Sequence, residues 1–387
     1  MEVYLVGGAV RDELLGMPVG ERDWVVVGSS PEEMLRRGYR QVGKNFPVFL
    51  HPDTGEEYAL ARTERKKGRG YYGFEVHASP DVSLQDDLLR RDLTVNAMAK
   101  SRSGEIIDPY GGQQDLKDRL LRHVSVAFSE DPLRILRVAR FAARFAGQGF
   151  TIADETMQLL HGMVRTGELK HIAAERVWEE TQRALATRTP GVFFSILHCL
   201  NATGQVFAGI GDAFSSGSGR SLALAALEGI SLEADEPCVR FAALIGGLYF
   251  HEHETARRDV SKLVRLPGLP NPCRELLELT VKLQHACHDA PALDAPELLD
   301  LLHRLDERRK PERFDKLLSI CSVIFTTANQ SKEYPQADWL RRASRRIEDI
   351  DVRQWTGGSA GNQEIADRLE LARLESLREM IRDENPP

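Results

Sequence analysis

Tyr4-Leu-Val-Gly-Gly-Ala-Val-Arg-Asp12, followed eleven residues later by Asp23 in Glu21-Arg-Asp-Trp-Val-Val-Val27, is the stretch that most limits what this chain can become. Val3 to Val6 is a short apolar strand, and Gly7-Gly8 lets the backbone turn and approach a ligand closely. Ala9 to Leu15 continues as a helix that ends at Gly16, before Pro18. A helix N-terminus behind paired glycines attracts anions, because free N–H groups and the helix dipole both point at it. Arg11, one turn in, adds a fixed charge. Asp23 opens a second strand, and residues two apart in a strand face the same way, so Glu21 and Asp23 present two carboxylates side by side. Two adjacent anions call for a cation between them, and Mg²⁺ favours one or two carboxylates together with phosphate oxygens. The plain alternative is a solvated strand end with a salt bridge to Arg22.

With 387 residues the chain is long enough for two or three domains, and 42% apolar and 28% charged residues suit a water-soluble fold. Met1-Glu-Val-Tyr4 enters a strand directly, without the basic and apolar segments of a secretory leader. No run is long enough to cross a bilayer. The five cysteines, Cys199, Cys238, Cys273, Cys287 and Cys321, are scattered without pairing or metal spacing, and read as reduced, mostly buried thiols of a cytoplasmic protein. A net charge of −7 excludes a general polyanion binder, so any nucleic-acid surface must be local.

Further strands are expected at Val48–Leu50 and at Glu57–Thr63, where Glu57 is either a third carboxylate or an edge-strand acid. Arg65-Lys-Lys-Gly-Arg-Gly-Tyr-Tyr-Gly73 is composed like a loop that could meet a phosphate backbone or stack on a base. Ser83 to Lys100 reads as one helix carrying Arg91 and Asp92 among apolar residues. After Pro132, a second helix places Arg134, Arg137, Arg140 and Arg144 within about a third of its circumference. An arginine stripe on an otherwise apolar helix must face anions, either protein carboxylates or a ligand. The absence of interspersed Glu and Lys favours the ligand. Beyond Phe150 the pattern is helical almost throughout, with Ser215-Ser-Gly-Ser-Gly219 reading as a flexible linker. Basic patches at Arg308-Arg-Lys310 and at Arg341-Arg342 with Arg345-Arg346 read as solvated helix faces, with room for an RNA contact.

Taken in order, Gly7-Gly8-Ala-Val-Arg11-Asp12, Glu21/Asp23, Arg90-Arg-Asp92-Leu-Thr-Val-Asn96, Asp108-Pro-Tyr-Gly-Gly112 and Glu130-Asp-Pro-Leu-Arg134-Ile-Leu-Arg137-Val-Ala-Arg140 resemble the class II (bacterial-type) tRNA nucleotidyltransferases. These are the CCA-adding enzymes of the polymerase-β-like superfamily. The likeness in motifs extends to Glu175-Arg176-Val-Trp-Glu179. It implies an α+β chain: a mixed-sheet catalytic head over 1–140, a helical neck over 141–215, and a helical body and tail over 220–387. The implied activity is template-independent addition of C, C and A to the tRNA 3′ end from CTP and ATP, with release of pyrophosphate. Glu21 and Asp23 would hold two Mg²⁺ ions as the catalytic pair. Gly8, Arg11, Arg91, Arg137 and Arg140 would contact the triphosphate, and Asp131 and Arg134 would present edges that mimic a template base. The acceptor arm of tRNA would lie along the helical regions of a monomer or homodimer.

Two departures stand out. The family's acidic pair is usually Asp-x-Asp, where this chain has Glu21-Arg-Asp23. Some relatives also carry a phosphohydrolase domain marked by a His-Asp pair. Here Gly246-Gly247 occupy that place, with His251-Glu-His253 nearby, so this region reads as degenerate or shortened and no phosphohydrolase activity is expected. The alternatives are a partial adder (CC or A only), a poly(A) polymerase, which tends to carry a basic C-terminal extension unlike Asp383-Glu-Asn-Pro-Pro387, and a non-catalytic RNA-binding relative.

Overall fold

Strand β1 (Glu2–Val6) runs antiparallel to β2 (Asp23–Val27), so that Val6 faces Asp23 across the pair. The computed structural model describes the whole chain except residues 43–47, 67–73, 252–259, 265–267, 352–361 and 385–387. Within it, residues Met1–Val206 and Phe207–Pro387 form two units.

In the first unit, β1 and β2 are joined by β3 (Arg40–Val42), β4 (Val48–Leu50), β5 (Glu57–Leu60), β8 (Ala99–Lys100) and β9 (Ile106–Ile107). The sheet order is β3-β4-β5-β2-β1-β8-β9, and β2 with β5 is its parallel pair. A separate hairpin pairs β6 (Arg62–Lys66) with β7 (Phe74–Ala78). Alternation along β2 sends Val26 into a cluster with Val3, Met34, Phe49 and Leu60 on one face. Val25 goes to the other face with Val6, Leu88, Ala97 and Ala99. Helices α1 (Gly8–Leu14), α2 (Pro31–Arg36), α3 (Leu84–Leu89) and α4 (Gly112–Asp118) complete the head. Helices α5 (Leu133–Phe145), α6 (Asp154–Arg165), α7 (Ala174–Leu185), α8 (Gly191–Cys199) and α9 (Thr203–Val206) follow. Helix α5 packs against α7 and α8, and its Arg137 and Arg140 reach Glu180 on α7.

The expected helix over 83–100 is not continuous. Ser83 caps α3 through a reciprocal box with Asp86, as its position suggests, but the helix stops at Leu89. Asp92 then accepts the Leu93 N–H at 2.8 Å, and Leu93 bridges to His123. This side-chain bond gives the backbone an alternative to helix, so Arg91 and Asp92 lie on an irregular turn leading to a single 3₁₀ turn at Thr94–Asn96.

The second unit is helical: α10 (Gly211–Ser215), α11 (Gly217–Ser231), α12 (Pro237–Leu248), α13 (Asn271–His288), α14 (Ala295–Leu305), α15 (Pro311–Asn329), α16 (Pro335–Glu348) and α17 (Asn362–Glu384). The stretch read as a flexible linker is largely helical instead, with Ser216 as the break between α10 and α11. Of its two glycines, Gly219 serves close packing, since a Cβ there would come within 2.9 Å of the Leu248 carbonyl, whereas Gly217 is exposed. The cysteine reading also needs correction. Cys238 and Cys273 are joined as a disulfide, and Cys199 is exposed. The two partners lie 35 residues apart in sequence, but α12 packs on α13 and brings their Cα atoms to 4.7 Å, within bridging range.

Candidate functional site

A cavity of about 570 Å³ in the first unit gathers every site residue expected from the sequence: Gly8, Arg11, Glu21, Asp23, Arg91, Asp131, Arg134, Arg137 and Arg140. Its described lining holds ten arginines and five carboxylates. In a chain of net charge −7 this is a local concentration of positive charge, the footprint of an anionic ligand.

The floor is the turn between β1 and α1. Gly7 has φ of 70°, and a Cβ there would sit 2.8 Å from Arg91 Nη1, so the turn and the arginine can share this space only because the residue is glycine. Arg11 is buried under α5 with its guanidinium 5.0 Å from the Phe145 ring centroid. Burial lowers its pKa, and the neighbouring Asp12 carboxylate, 2.7 Å away, opposes that shift. Arg91 reaches Asp87 at 3.3 Å, while its buried Nε meets no acceptor among the described residues.

The arginine stripe on α5 is tied into protein carboxylates as well as facing the cavity. Arg137 contacts Asp92 at 2.6 Å and Glu180 at 3.5 Å. Arg140 donates to Glu180 at 2.5 Å, and Arg144 reaches Asp12 at 2.9 Å. Arg11 donates to Asn96, whose amide donates to Asp92 at 3.0 Å. A network of alternating cations and anions, bridged at one point by the neutral Asn96 amide, therefore runs from Arg144 through Asp12, Arg11, Asn96, Asp92 and Arg137 to Glu180 and Arg140. Both readings of the stripe meet in this geometry. Asp92 is fully enclosed, and burial alone would raise its pKa, yet Arg137 and Asn96 hold it well below the usual carboxylate range. Asp92 in turn raises the pKa of Arg137.

Arg134 directs its two Nη atoms to the backbone carbonyls of Ala127, at 3.2 Å, and Arg90, at 2.6 Å. Asp131 accepts the Leu133 N–H and an Arg176 Nη at 3.1 Å. The planar edges of this carboxylate and guanidinium border the cavity within one turn of each other.

The carboxylates lie across the cavity at the end of β2. The strand begins at Asp23, so Glu21 precedes it instead of sharing its pleat, though both line the cavity. Glu57 sits opposite Asp23 on the parallel neighbour β5 and lines the cavity too. Arg22 turns to Glu56, at 3.9 Å, so the salt bridge to Arg22 that would make Glu21 and Asp23 a plain strand end is absent among the described residues. Desolvation raises the Asp23 pKa, Arg91 opposes this, and the Glu21 charge adds to it. A carboxylate both desolvated and repelled by a neighbour is chemically suited to a divalent cation. Among the described residues, no group of three or more His, Cys, Asp or Glu side chains is poised to hold a metal.

The sequence assigns no role to several lining residues, Arg176 among them although it stands within the Glu175–Glu179 motif. Arg62 comes from a strand with no distinguishing signal. Arg176 and Arg183 lie seven apart on α7 with Glu180 between them, a helical spacing that could have revealed a charged face toward α5. Most of the Arg65–Gly73 segment, including its glycines and tyrosines, lies outside the described residues. In the second unit the basic patches are engaged at the surface: Arg309 pairs with Asp306 at 2.8 Å and Arg341 with Asp315 at 3.0 Å.

Comparison with known proteins converges on one family. Residues 3–122 match the family described as "Poly A polymerase head domain", and residues 149–211 match "Probable RNA and SrmB- binding site of polymerase A". A "CCA-adding enzyme" from Pseudomonas putida is 48% identical over 377 residues, covering 97% of this chain and 98% of that protein. The Bacillus stearothermophilus CCA-adding enzyme, solved in complex with CTP, superposes with a TM-score of 0.67 at 24% identity, covering 98% of this chain and 89% of that one. The Thermotoga maritima CCA-adding enzyme, solved in complex with tRNA, gives 0.63 at 22% identity, covering 99% and 90%. These structural matches share the mixed-sheet head and helical remainder.

Proposed function

This chain belongs to the CCA-adding enzyme family of nucleotidyltransferases, and on that premise we propose that it completes the 3′ end of tRNA by adding C, C and A from CTP and ATP without a nucleic-acid template. The observation that carries the reading is the single cavity in which an arginine-rich wall faces a glycine turn and paired carboxylates. The reaction is in-line attack of the RNA 3′-hydroxyl on the α-phosphate, with pyrophosphate leaving. Gly8 offers backbone N–H to the triphosphate, and Arg11, Arg91, Arg137 and Arg140 offset its charge. The networks to Asp12, Asp92 and Glu180 hold these guanidinium groups in place before the nucleotide arrives, so little reorganisation is needed on binding. Asp131 presents acceptors and Arg134 donors toward the base, and Arg176 orients the Asp131 carboxylate.

The residues at the end of β2 fit the divalent metal that nucleotidyltransferases use. Glu21 and Asp23 would hold Mg²⁺, with Glu57 as a neighbouring carboxylate. Bound there, metal would make the attacking hydroxyl more acidic and offset the charge on the leaving group. We assign residues 1–140 to the catalytic head, 141–215 to the neck, and 220–387 to a body and tail along which the tRNA acceptor arm lies. None of the described helices is long and apolar enough to cross a membrane, and we place the protein in the cytoplasm as a monomer or homodimer.

The decisive experiment incubates purified protein and Mg²⁺ with tRNAs lacking CCA, CA or A, supplying CTP and ATP separately and together. Extension of all three to a complete CCA end, followed by arrest, is expected. Long homopolymer tails would point to a poly(A) polymerase, and use of one nucleotide alone to a partial adder.

The second unit is expected to lack phosphohydrolase activity. Gly246 and Gly247 stand where the His-Asp pair would be, buried at helix contacts, with the space around Gly246 taken by Ile324, Thr280 and Gln284. His251 is exposed, and His253 lies outside the described residues. Metal-stimulated hydrolysis of a 2′,3′-cyclic nucleotide by the pure protein would overturn this.

A further inference from the structure

The five cysteines occupy contrasting places relative to helix ends. Cys287 and Cys321 are fully buried, near the end of α13 and in the middle of α15, and their mutual hydrogen bond, with burial, pushes the Cys321 thiol well up. Cys199 is exposed, but it is the last residue of α8, where the negative end of the dipole opposes a thiolate. Cys238 and Cys273 are placed oppositely: the second residue of α12 and the third of α13, in first turns with no side-chain cap. Unsatisfied N–H groups and the positive dipole end favour a thiolate at such positions.

Access separates the two. Cys273 is only 1% exposed, whereas Cys238 is half-buried and lines a cavity of about 590 Å³ between the starts of α12, α13 and α15. Lys310, Arg313 and Lys316 also line it, together with Glu236, Glu275 and Glu312. Glu275 pairs with Lys310 and Arg313, and Glu236 with Lys316, so the lining is polar with its charges largely paired. A small polar reagent can therefore reach one sulfur of the pair and not the other.

We propose that Cys238 and Cys273 form a reversible oxidation site for hydroperoxide, with Cys238 as the reacting sulfur and Cys273 as the resolving one, and that the structure represents its oxidised state. The Cys238 thiolate attacks one peroxide oxygen. The O–O bond breaks, hydroxide leaves, and Cys238 becomes a sulfenic acid. Cys273 sulfur then attacks the sulfenic sulfur, the S–O bond breaks, and the departing hydroxide takes the thiol proton to form water. Overall, two thiols and one peroxide give one disulfide and two waters. Reduction follows the reverse access: a low-molecular-weight thiolate attacks Cys238 Sγ, Cys273 leaves as thiolate and is protonated, and a second thiol releases Cys238 from the mixed disulfide.

The test uses full-length reduced protein treated with equimolar hydrogen peroxide, quenched with an alkylating agent and mapped by mass spectrometry. Loss of two hydrogens in a linked Cys238–Cys273 peptide is expected, forming roughly tenfold faster than any oxidation of Cys199. In Cys273→Ser, dimedone should label Cys238; in Cys238→Ser, Cys273 should stay unlabelled. Labelling of Cys273 in that second variant would reverse the assignment. Failure of the wild-type pair to link, or faster oxidation of Cys199, would overturn the proposal without reliance on either variant.

Discussion

Asp23→Ala is expected to lower incorporation of both CMP and AMP by roughly a thousandfold or more while tRNA binding persists. The backbone at Asp23 is fixed on both sides, by β1 opposite Val6 and by β5 opposite Glu57, so the substitution removes a carboxylate and leaves the strand in place. The side chain has no core role: it lines the cavity and belongs to neither apolar cluster of the sheet. Single-turnover incorporation should collapse while a gel-shift titration with tRNA stays near wild type. Near-normal turnover would sink the assignment of Asp23 to metal. Glu21→Ala should follow in the same direction, and Glu21→Asp should keep activity by supplying a carboxylate on the shorter arm usual in relatives. If Glu21→Ala is neutral, the pair reduces to Asp23, with Glu57 the next carboxylate to test.

The head was legible because its signals are local. Gly7-Gly8 between an apolar run and a helical one gives a strand, a turn and a helix, and β-branched Val25–Val27 gives the second strand. The nine expected site residues reach one cavity because Gly8, Asp23 and Asp131 lie at element ends, while Arg11, Arg137 and Arg140 project from one face of α1 or α5 toward the same space. What the sequence could not disclose depends on tertiary partners. Asp92 ends a helical pattern by taking the Leu93 N–H, a competition that propensity does not register. Gly219 looks like part of a linker until α12 supplies the surface it packs against. The destination of Arg22 was equally hidden, because Glu56 lies 34 residues away in sequence and meets it only across the sheet. Spacing alone also left the arginine stripe divided between carboxylates and ligand, because Asp12, Asp92 and Glu180 come from three separate segments.

Arg137→Ala offers a way to separate those two roles. It strips the buried Asp92 of its closest cation and should destabilise the first unit by about 3 kcal/mol, the lower end for breaking a buried pair because Arg137 is itself a third exposed. For a unit of this size the melting midpoint should fall by roughly 6–12 °C. The pH dependence carries a sign. In the wild type Asp92 has a depressed pKa, so its contribution is complete above the unfolded value near 4 and is lost only as pH falls toward the native one. Without Arg137, burial dominates and the carboxyl pKa rises, so protonation relieves the penalty and the gap between variant and wild type should narrow as pH drops from 7.5 toward 5. A gap that stays constant would mean that the loss came from packing alone. Adding Asp92→Asn removes the unpaired charge and should recover much of the lost stability in the double variant. Activity then decides the role of Arg137. If the arginine only braces the fold, incorporation returns together with stability. If it also offsets phosphate charge, as proposed, the double variant melts near wild type yet remains impaired, with the KM for both CTP and ATP raised, because restoring the scaffold cannot replace the lost guanidinium.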